Sequence, residues 1–226
     1  MTGLFDTVVL DLDGTLVDSN YHHVLAWQRA FQRVAIEMPA VRIHQAIGMG
    51  GDKFVAHVAG DHVERALGDQ IRQLHDDFFM ASVREVHALP GVDDFIARIL
   101  ELDCRPVLAS SSAREQVDAM LETIESAHRL ELVVTGDDAD DSKPDPDLVQ
   151  VALERVGSRR GVLVGDSVWD VAAARNSGID CLAVLTGGFC REDLLQAGAR
   201  RVYDDLPSLT AALPSLAHAD PSMGTV

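Results

Sequence analysis

The sequence predicts an α/β protein whose parallel sheet is interrupted once by a long all-helical segment. Three observations carry this expectation. Four short β-rich runs (Thr7 to Leu10, Pro106 to Ala109, Leu132 to Val134 and Val162 to Val164) each stop abruptly at polar residues or glycine. Between such runs apolar residues recur at helical spacing, as in Val117, Met120, Leu121 and Ile124 or Leu148, Val151 and Ala152, which is the alternation of βα units. One stretch, residues 18 to about 88, has helical spacing and no convincing strand.

In chain order, the first strand ends at Asp11, and helices are expected around Leu25, Ala26, Phe31 and Val34 and again around Ile71, Leu74, Phe78 and Phe79. Leu89-Pro90-Gly91-Val92 marks the return to the sheet, because Pro and Gly end a helix and open a turn. The α/β alternation then runs to about Leu213, and a loosely held tail rich in Ala, Ser, Pro and Gly follows. The expected organisation is a core of residues 1–17 and 89–214, a helical insertion at 18–88 and a tail at 215–226. With 226 residues and 47% apolar content, the chain can bury a substantial core.

Composition excludes several classes. The net charge is −17, from 36 acidic and 19 basic residues, which opposes binding to nucleic acid. No apolar run approaches the roughly 20 residues that span a bilayer, and no leader pattern opens the chain, so a cytoplasmic protein is expected. Cys104, Cys181 and Cys190 have no metal-ligand spacing and read as reduced thiols. An acidic protein that handles phosphate needs a bound cation to invert the local field.

The chemistry concentrates at the strand ends. In Asp11-Leu12-Asp13-Gly14-Thr15, residues i and i+2 of an extended run face one side, so both carboxylates can address one ligand. One carboxylate can attack a phosphoryl group and the other can transfer a proton. Gly14 allows a sharp turn. Ser110 and Ser111 follow the next strand, where hydroxyls and free N–H groups can hold a phosphoryl oxygen. Lys143 lies between Ser142 and Pro144-Asp145-Pro146, and the prolines are expected to hold this loop extended and fix where the ammonium points. Asp166 follows Gly165, and Asp170 falls one helical turn later on the same side. Carboxylates gathered beside Asp11 would repel without a cation, and Mg²⁺ suits oxygen ligands.

These residues and their order resemble the haloacid-dehalogenase-like hydrolase superfamily over nearly the whole chain. The four motifs are Asp11-Leu12-Asp13-Gly14-Thr15, Ser110 after its strand, Lys143 in Lys-Pro-Asp-Pro, and Gly165-Asp166-Ser167-Val168-Trp169-Asp170. The resemblance implies a Rossmann-like core with a helical cap inserted after the first motif. It implies Asp11 as nucleophile and metal ligand, and Asp13 as general acid/base and as metal ligand through its main-chain carbonyl. It also implies Ser110 and Lys143 as phosphate binders with Gly14, Thr15 and Ser111 beside them, Asp166 as metal ligand, and Asp170 as a ligand or the neighbour of one. Dehalogenases of this superfamily lack the second aspartate, so Asp13 favours phosphoryl transfer.

Phosphoglycolate-phosphatase-like enzymes and β-phosphoglucomutase share this cap. Asp18 to His23 followed by Ala26-Trp27 is similar to the mutase hinge, where a histidine near His23 contacts the acid/base aspartate. Gly48-Met49-Gly50-Gly51-Asp52 lacks the mutase's phosphate-binding arginine, and Thr15 is the phosphatase choice. The expected function is a Mg²⁺-dependent hydrolase of small phosphomonoesters, phosphoglycolate-like or sugar-phosphate-like, through an aspartyl-phosphate intermediate, as a monomer or homodimer. The alternatives are a sugar-phosphate mutase and a catalytically silent phospholigand-binding protein. Gly48 to Gly51 is read as a cap bend facing the substrate, and His23, Arg42, His44 and Lys53 as candidate substrate contacts. Most of the cap histidines are read as surface residues, and Asp137, Asp138, Asp140 and Asp141 as a solvated loop.

Overall fold

The computed structural model describes residues 4–139 and 141–217. Six parallel strands, β1 (Thr7–Leu10), β2 (Arg105–Ala109), β3 (Leu132–Val134), β4 (Gly161–Gly165), β5 (Asp180–Val184) and β6 (Arg201–Tyr203), form one sheet in the order β3-β2-β1-β4-β5-β6. This is the doubly wound order, whose ligand crevice opens where the winding reverses, between β1 and β4. Leu10 pairs with Leu108 of β2 and with Val164 of β4, so Asp11, Ser110 and Asp166 leave the sheet at nearly the same height.

Both faces are buried, and successive residues alternate between them. Val8, Leu10, Leu108 and Val164 pack under α5 (Val92–Glu101), α6 (Arg114–Leu121) and α10 (Leu206–Ala217). Val9, Val107, Ala109 and Leu163 pack under α7 (Asp147–Arg155), α8 (Val168–Asn176) and α9 (Arg191–Ala197). The expected tail is corrected at its start: α10 continues past Pro214 with Leu216 and Ala217 buried, and the carbonyl of Ala217 accepts from the N–H of Leu4 (2.9 Å). The rest of that expectation, residues 218–226, lies outside the described residues.

Between β1 and α5 come α1 (Asn20–Arg33), α2 (Ala40–His44), α3 (Gly51–Ala59) and α4 (Asp61–Met80). They enclose their own apolar cluster, including Trp27, Phe31, Ile43, Phe54 and Ile71. In α1 the buried stripe is His23, Val24, Ala26, Trp27, Ala30 and Phe31, whereas Leu25 is 51% exposed. The two chain crossings lie side by side: Asp18 N–H donates to His87 O (2.9 Å) and Leu89 N–H to Leu16 O (2.9 Å). Among the described residues no helix is long and apolar enough to cross a membrane.

Candidate active site

Asp11 and Asp13 lie on the floor of a cavity of about 310 Å³, beneath a wall formed by α1, α4 and the loop Ile47 to Asp52. The two carboxylates point into different surroundings. Asp11 meets Lys143, which also reaches Asp170 Oδ1 (2.8 Å). Asp13 turns the other way: Oδ1 accepts from Ser19 Oγ (2.5 Å) and lies 3.0 Å from His23 Nε2, and Oδ2 accepts from Ser112 Oγ (2.9 Å) and Ser110 Oγ (3.5 Å).

Behind Asp11 the carboxylates of Asp11, Asp166 and Asp170 converge, with one oxygen of each within 4.8 Å of the others and all three residues buried. Asp166 is fixed by Thr15 Oγ1 (3.0 Å) and Asn20 Nδ2 (2.9 Å), and Asp170 Oδ2 by the N–H (3.1 Å) and Oγ (2.5 Å) of Ser167 in a capping box that starts α8. Gly14, at φ +72°, and Gly187 line this corner, where a Cβ on either would fall onto the Asp166 carboxylate. Burial, then the Asp170 charge, pushes Asp11 well above the usual carboxylate range and Asp166 to about 7. Burial alone would lower Lys143, but Asp11 and Asp170 hold it firmly protonated. Three buried carboxylates against one ammonium leave a negative excess. A hard divalent cation fits this all-oxygen donor set and would restore the ionised forms.

Burial alone would raise Asp13, but His23, with help from Ser19 and Ser112, holds its carboxyl down at about 2. His23 Nδ1 lies 3.0 Å from His75 Nε2, His75 Nδ1 lies 3.0 Å from Asp76 Oδ1, and Gln116 of α6 donates to that same oxygen (2.8 Å). His75 also stacks on Trp27 with centroids 3.9 Å apart, and His23 on Phe79 at 3.8 Å. Burial pushes the His75 imidazole down to about 4.

Asp11, Asp13, His23 and Ser111 line the cavity, as does the bend Gly48 to Gly51. The Ser111 hydroxyl is buried without a hydrogen-bond partner among the described residues, while Ser110 is occupied by Asp13 and by the N–H of Ser112 (3.1 Å). Thr15 and Gly14 stand behind Asp166 instead of on the cavity wall. Among the proposed substrate contacts, Arg42 is exposed and away from the cavity, and His44 stacks on Tyr21 and Phe189. Lys53 pairs with Asp145 and with Asp141 (3.3 Å).

Three expectations are corrected, and His75 is an exception to the surface reading of most cap histidines. The Lys143 loop is a turn, not an extended segment: Asp145 N–H closes onto Ser142 O (3.1 Å) and the Lys143–Pro144 peptide is cis. An arginine does reach the Gly50-Gly51 bend, because α4 brings Arg72 Nη1 to Gly51 O (3.2 Å). His75 is buried, not on the surface. Its position in the stripe Gly68, Ile71, His75, Phe79 of α4 is a signal the sequence carried. The Asp137 to Asp141 run is not simply solvated: Asp138 caps Thr135 and pairs with Arg114 (3.0 Å) and Arg155 (2.9 Å), and Asp140 lies outside the described residues.

The sequence model of the haloacid dehalogenase-like hydrolases matches residues 8–184. A phosphoglycolate phosphatase of Cupriavidus necator is 30% identical over 214 residues, covering 91% of this chain and 92% of the relative. One from Vibrio cholerae is 27% identical, with 89% and 94% covered. A solved hydrolase from Pseudomonas syringae superposes with a TM-score of 0.88 at 29% identity, covering 93% of this chain and 99% of that one. With the four strand-end motifs gathered at one crevice, the chain belongs to the haloacid dehalogenase-like hydrolase family.

Proposed function

We propose that this protein is a Mg²⁺-dependent hydrolase of small phosphomonoesters that works through an aspartyl-phosphate on Asp11. The observation that carries this reading is the split environment of two carboxylates facing one cavity: Asp11 against Lys143, Asp13 against His23 and the serines. Paired carboxylates held in different surroundings take different roles.

Asp11 attacks the phosphorus, and the bond to the ester oxygen breaks. Asp13, whose carboxyl His23 holds low, hands the leaving alkoxide a proton drawn across its contact with His23, and later takes one from the water that cleaves the acyl phosphate and returns it along the same contact. Ser111 and the neighbouring N–H groups hold a phosphoryl oxygen, with Ser110 joining when it leaves Asp13, and Lys143 neutralises charge beside Asp11. Asp11, Asp166, Asp170 and the Asp13 carbonyl would hold Mg²⁺, which supplies charge neutralisation to the transferring phosphoryl group. Residues 18–88 act as the cap, a unit with its own apolar cluster, and 1–17 with 89–214 as the core. The names of the phosphatase relatives support the hydrolytic reading.

Asp11→Asn tests the reading, because an amide keeps the shape and loses the nucleophile. The variant should release no phosphate from p-nitrophenyl phosphate while keeping the wild-type circular dichroism spectrum. Turnover at the wild-type rate would dismiss the covalent route. The His23–Asp13 contact favours one second reading, a sugar-phosphate mutase. Fast conversion of β-glucose 1-phosphate to glucose 6-phosphate, dependent on the 1,6-bisphosphate and with negligible phosphate release, would establish it instead.

A further inference from the structure

The cationic groups that line the cavity can be counted donor by donor. Arg72 is the single Lys or Arg among the lining residues. Its Nη1 donates to Glu64 Oε2 (2.9 Å) and Gly51 O (3.2 Å), and its Nη2 to Glu64 Oε1 (2.8 Å) and Asp69 Oδ1 (2.7 Å). A guanidinium has five N–H bonds in a fixed fork, and both prongs of this one are spent, with two carboxylates against its one charge. The two histidines of the lining are equally committed, His23 to Asp13 and His75, and His75 to His23 and Asp76. Among the described lining residues, every Lys, Arg and His side chain already faces a carboxylate or the other histidine.

What the cavity lining offers instead is acceptors. Asp76 Oδ2 and Asp137 Oδ1 have no partner among the described residues, and Asp52 faces the same space. Carboxylate oxygens accept from hydroxyl donors and repel carboxylate and phosphate. The cavity, at about 310 Å³, sits at the small end of ligand pockets.

We propose that this cavity takes the phosphate ester of a small, uncharged, hydroxyl-bearing alcohol and turns away esters whose leaving group carries a carboxylate or a second phosphate. Glu64, which meets both Nη groups of Arg72, sets this selectivity by offsetting the guanidinium charge, with the exposed Asp69 adding little. The inference rests on the hydrolase reading, and it separates this chain's selectivity from the phosphoglycolate named for its relatives.

Two nearly isosteric pairs test it on the full chain with Mg²⁺: 2-hydroxyethyl phosphate against 2-phosphoglycolate, and glycerol 1-phosphate against 3-phosphoglycerate. Each pair exchanges CH₂OH for carboxylate. The hydroxylated member should have the higher kcat/KM in both pairs, by about tenfold or more. Glu64→Gln, which removes one of the two charges on Arg72, should narrow both ratios by raising turnover of the carboxylates. Equal or better turnover of the two carboxylates by the wild-type chain would overturn the proposal, as would hydrolysis of p-nitrophenyl phosphate with none of the hydroxylated esters. No phosphate from any ester, p-nitrophenyl phosphate included, would overturn the hydrolase reading itself.

Discussion

Replacing Lys143 with Met isolates the charge balance beneath Asp11. The ammonium is 1% exposed and its partners Asp11 and Asp170 are 5% and 0% exposed, so water screens neither contact. At the 2.8 Å separation from Asp170, an effective dielectric of about 20 gives roughly 6 kcal/mol of attraction before the desolvation that opposes it. Removing one partner of a buried pair costs about 3–5 kcal/mol. For a domain of this length, at about 2 °C per kcal/mol, the melting temperature should fall by about 6–10 °C. The assay is thermal and urea unfolding of Lys143→Met in EDTA and again with Mg²⁺. Without metal the loss should be complete, and Mg²⁺ should restore part of it, since the cation replaces the missing positive charge among the carboxylates. Adding Asp170→Asn should also recover part of the loss in EDTA by removing one of the three charges. A single variant as stable in EDTA as the wild type would refute the reasoning, because the carboxylates would then not depend on the lysine.

Other expectations follow from the same structure. EDTA should silence phosphate release and Mg²⁺ should restore it, and full activity at verified negligible metal content would dismiss the cation. Gly187→Ala places a Cβ on the Asp166 carboxylate, so kcat and Mg²⁺ affinity measured by calorimetry should both fall at least about tenfold. Asp138→Asn should cost about 1–2 kcal/mol in urea unfolding at pH 7 through its cap on Thr135 and its two arginine pairs. The Thr135 N–H bond, with Arg155 next, holds Asp138 at about 2 against an ordinary 3.8, so its contribution is complete above pH 4 and disappears as pH falls towards 2. A difference between the two proteins that persists unchanged at pH 2 would contradict this.

The strand-end chemistry was legible because it is local. Asp11, Ser110 and Asp166 each follow an apolar run almost at once, and a parallel sheet brings such ends to one height whatever their separation in sequence, whereas Lys143 reaches them from a turn beyond β3. β5 and β6 are not singled out by the sequence, since neither is followed by a charged residue in a motif and β6 is a three-residue edge strand opened by Arg201, although the turn after β5 brings Gly187 to the Asp166 corner. What stayed hidden depends on how helices cross. Arg72 and Gly51 are distant in sequence, and only the packing of α4 on α3 brings the guanidinium to that carbonyl. His75 was within reach of the sequence, because a polar residue in step with Ile71 and Phe79 breaks an apolar stripe. Leu25 shows the reverse error: an apolar residue one step off the stripe of α1 faces solvent.

The hydrogen bonds through His23, His75 and Asp76 leave the sheet side of the molecule at Asp13 and return to it at Gln116. They therefore form a closed circuit that crosses twice between the sheet and the helices above it. A circuit of contacts near 3 Å has no slack. Parting α4 from α6 opens it between Asp76 and Gln116, and lifting α1 together with α4 also takes His23 from Asp13. The surroundings of the Asp13 carboxylate are thus wired to the position of the roof, because two of its partners, Ser19 and His23, lie at the start of α1.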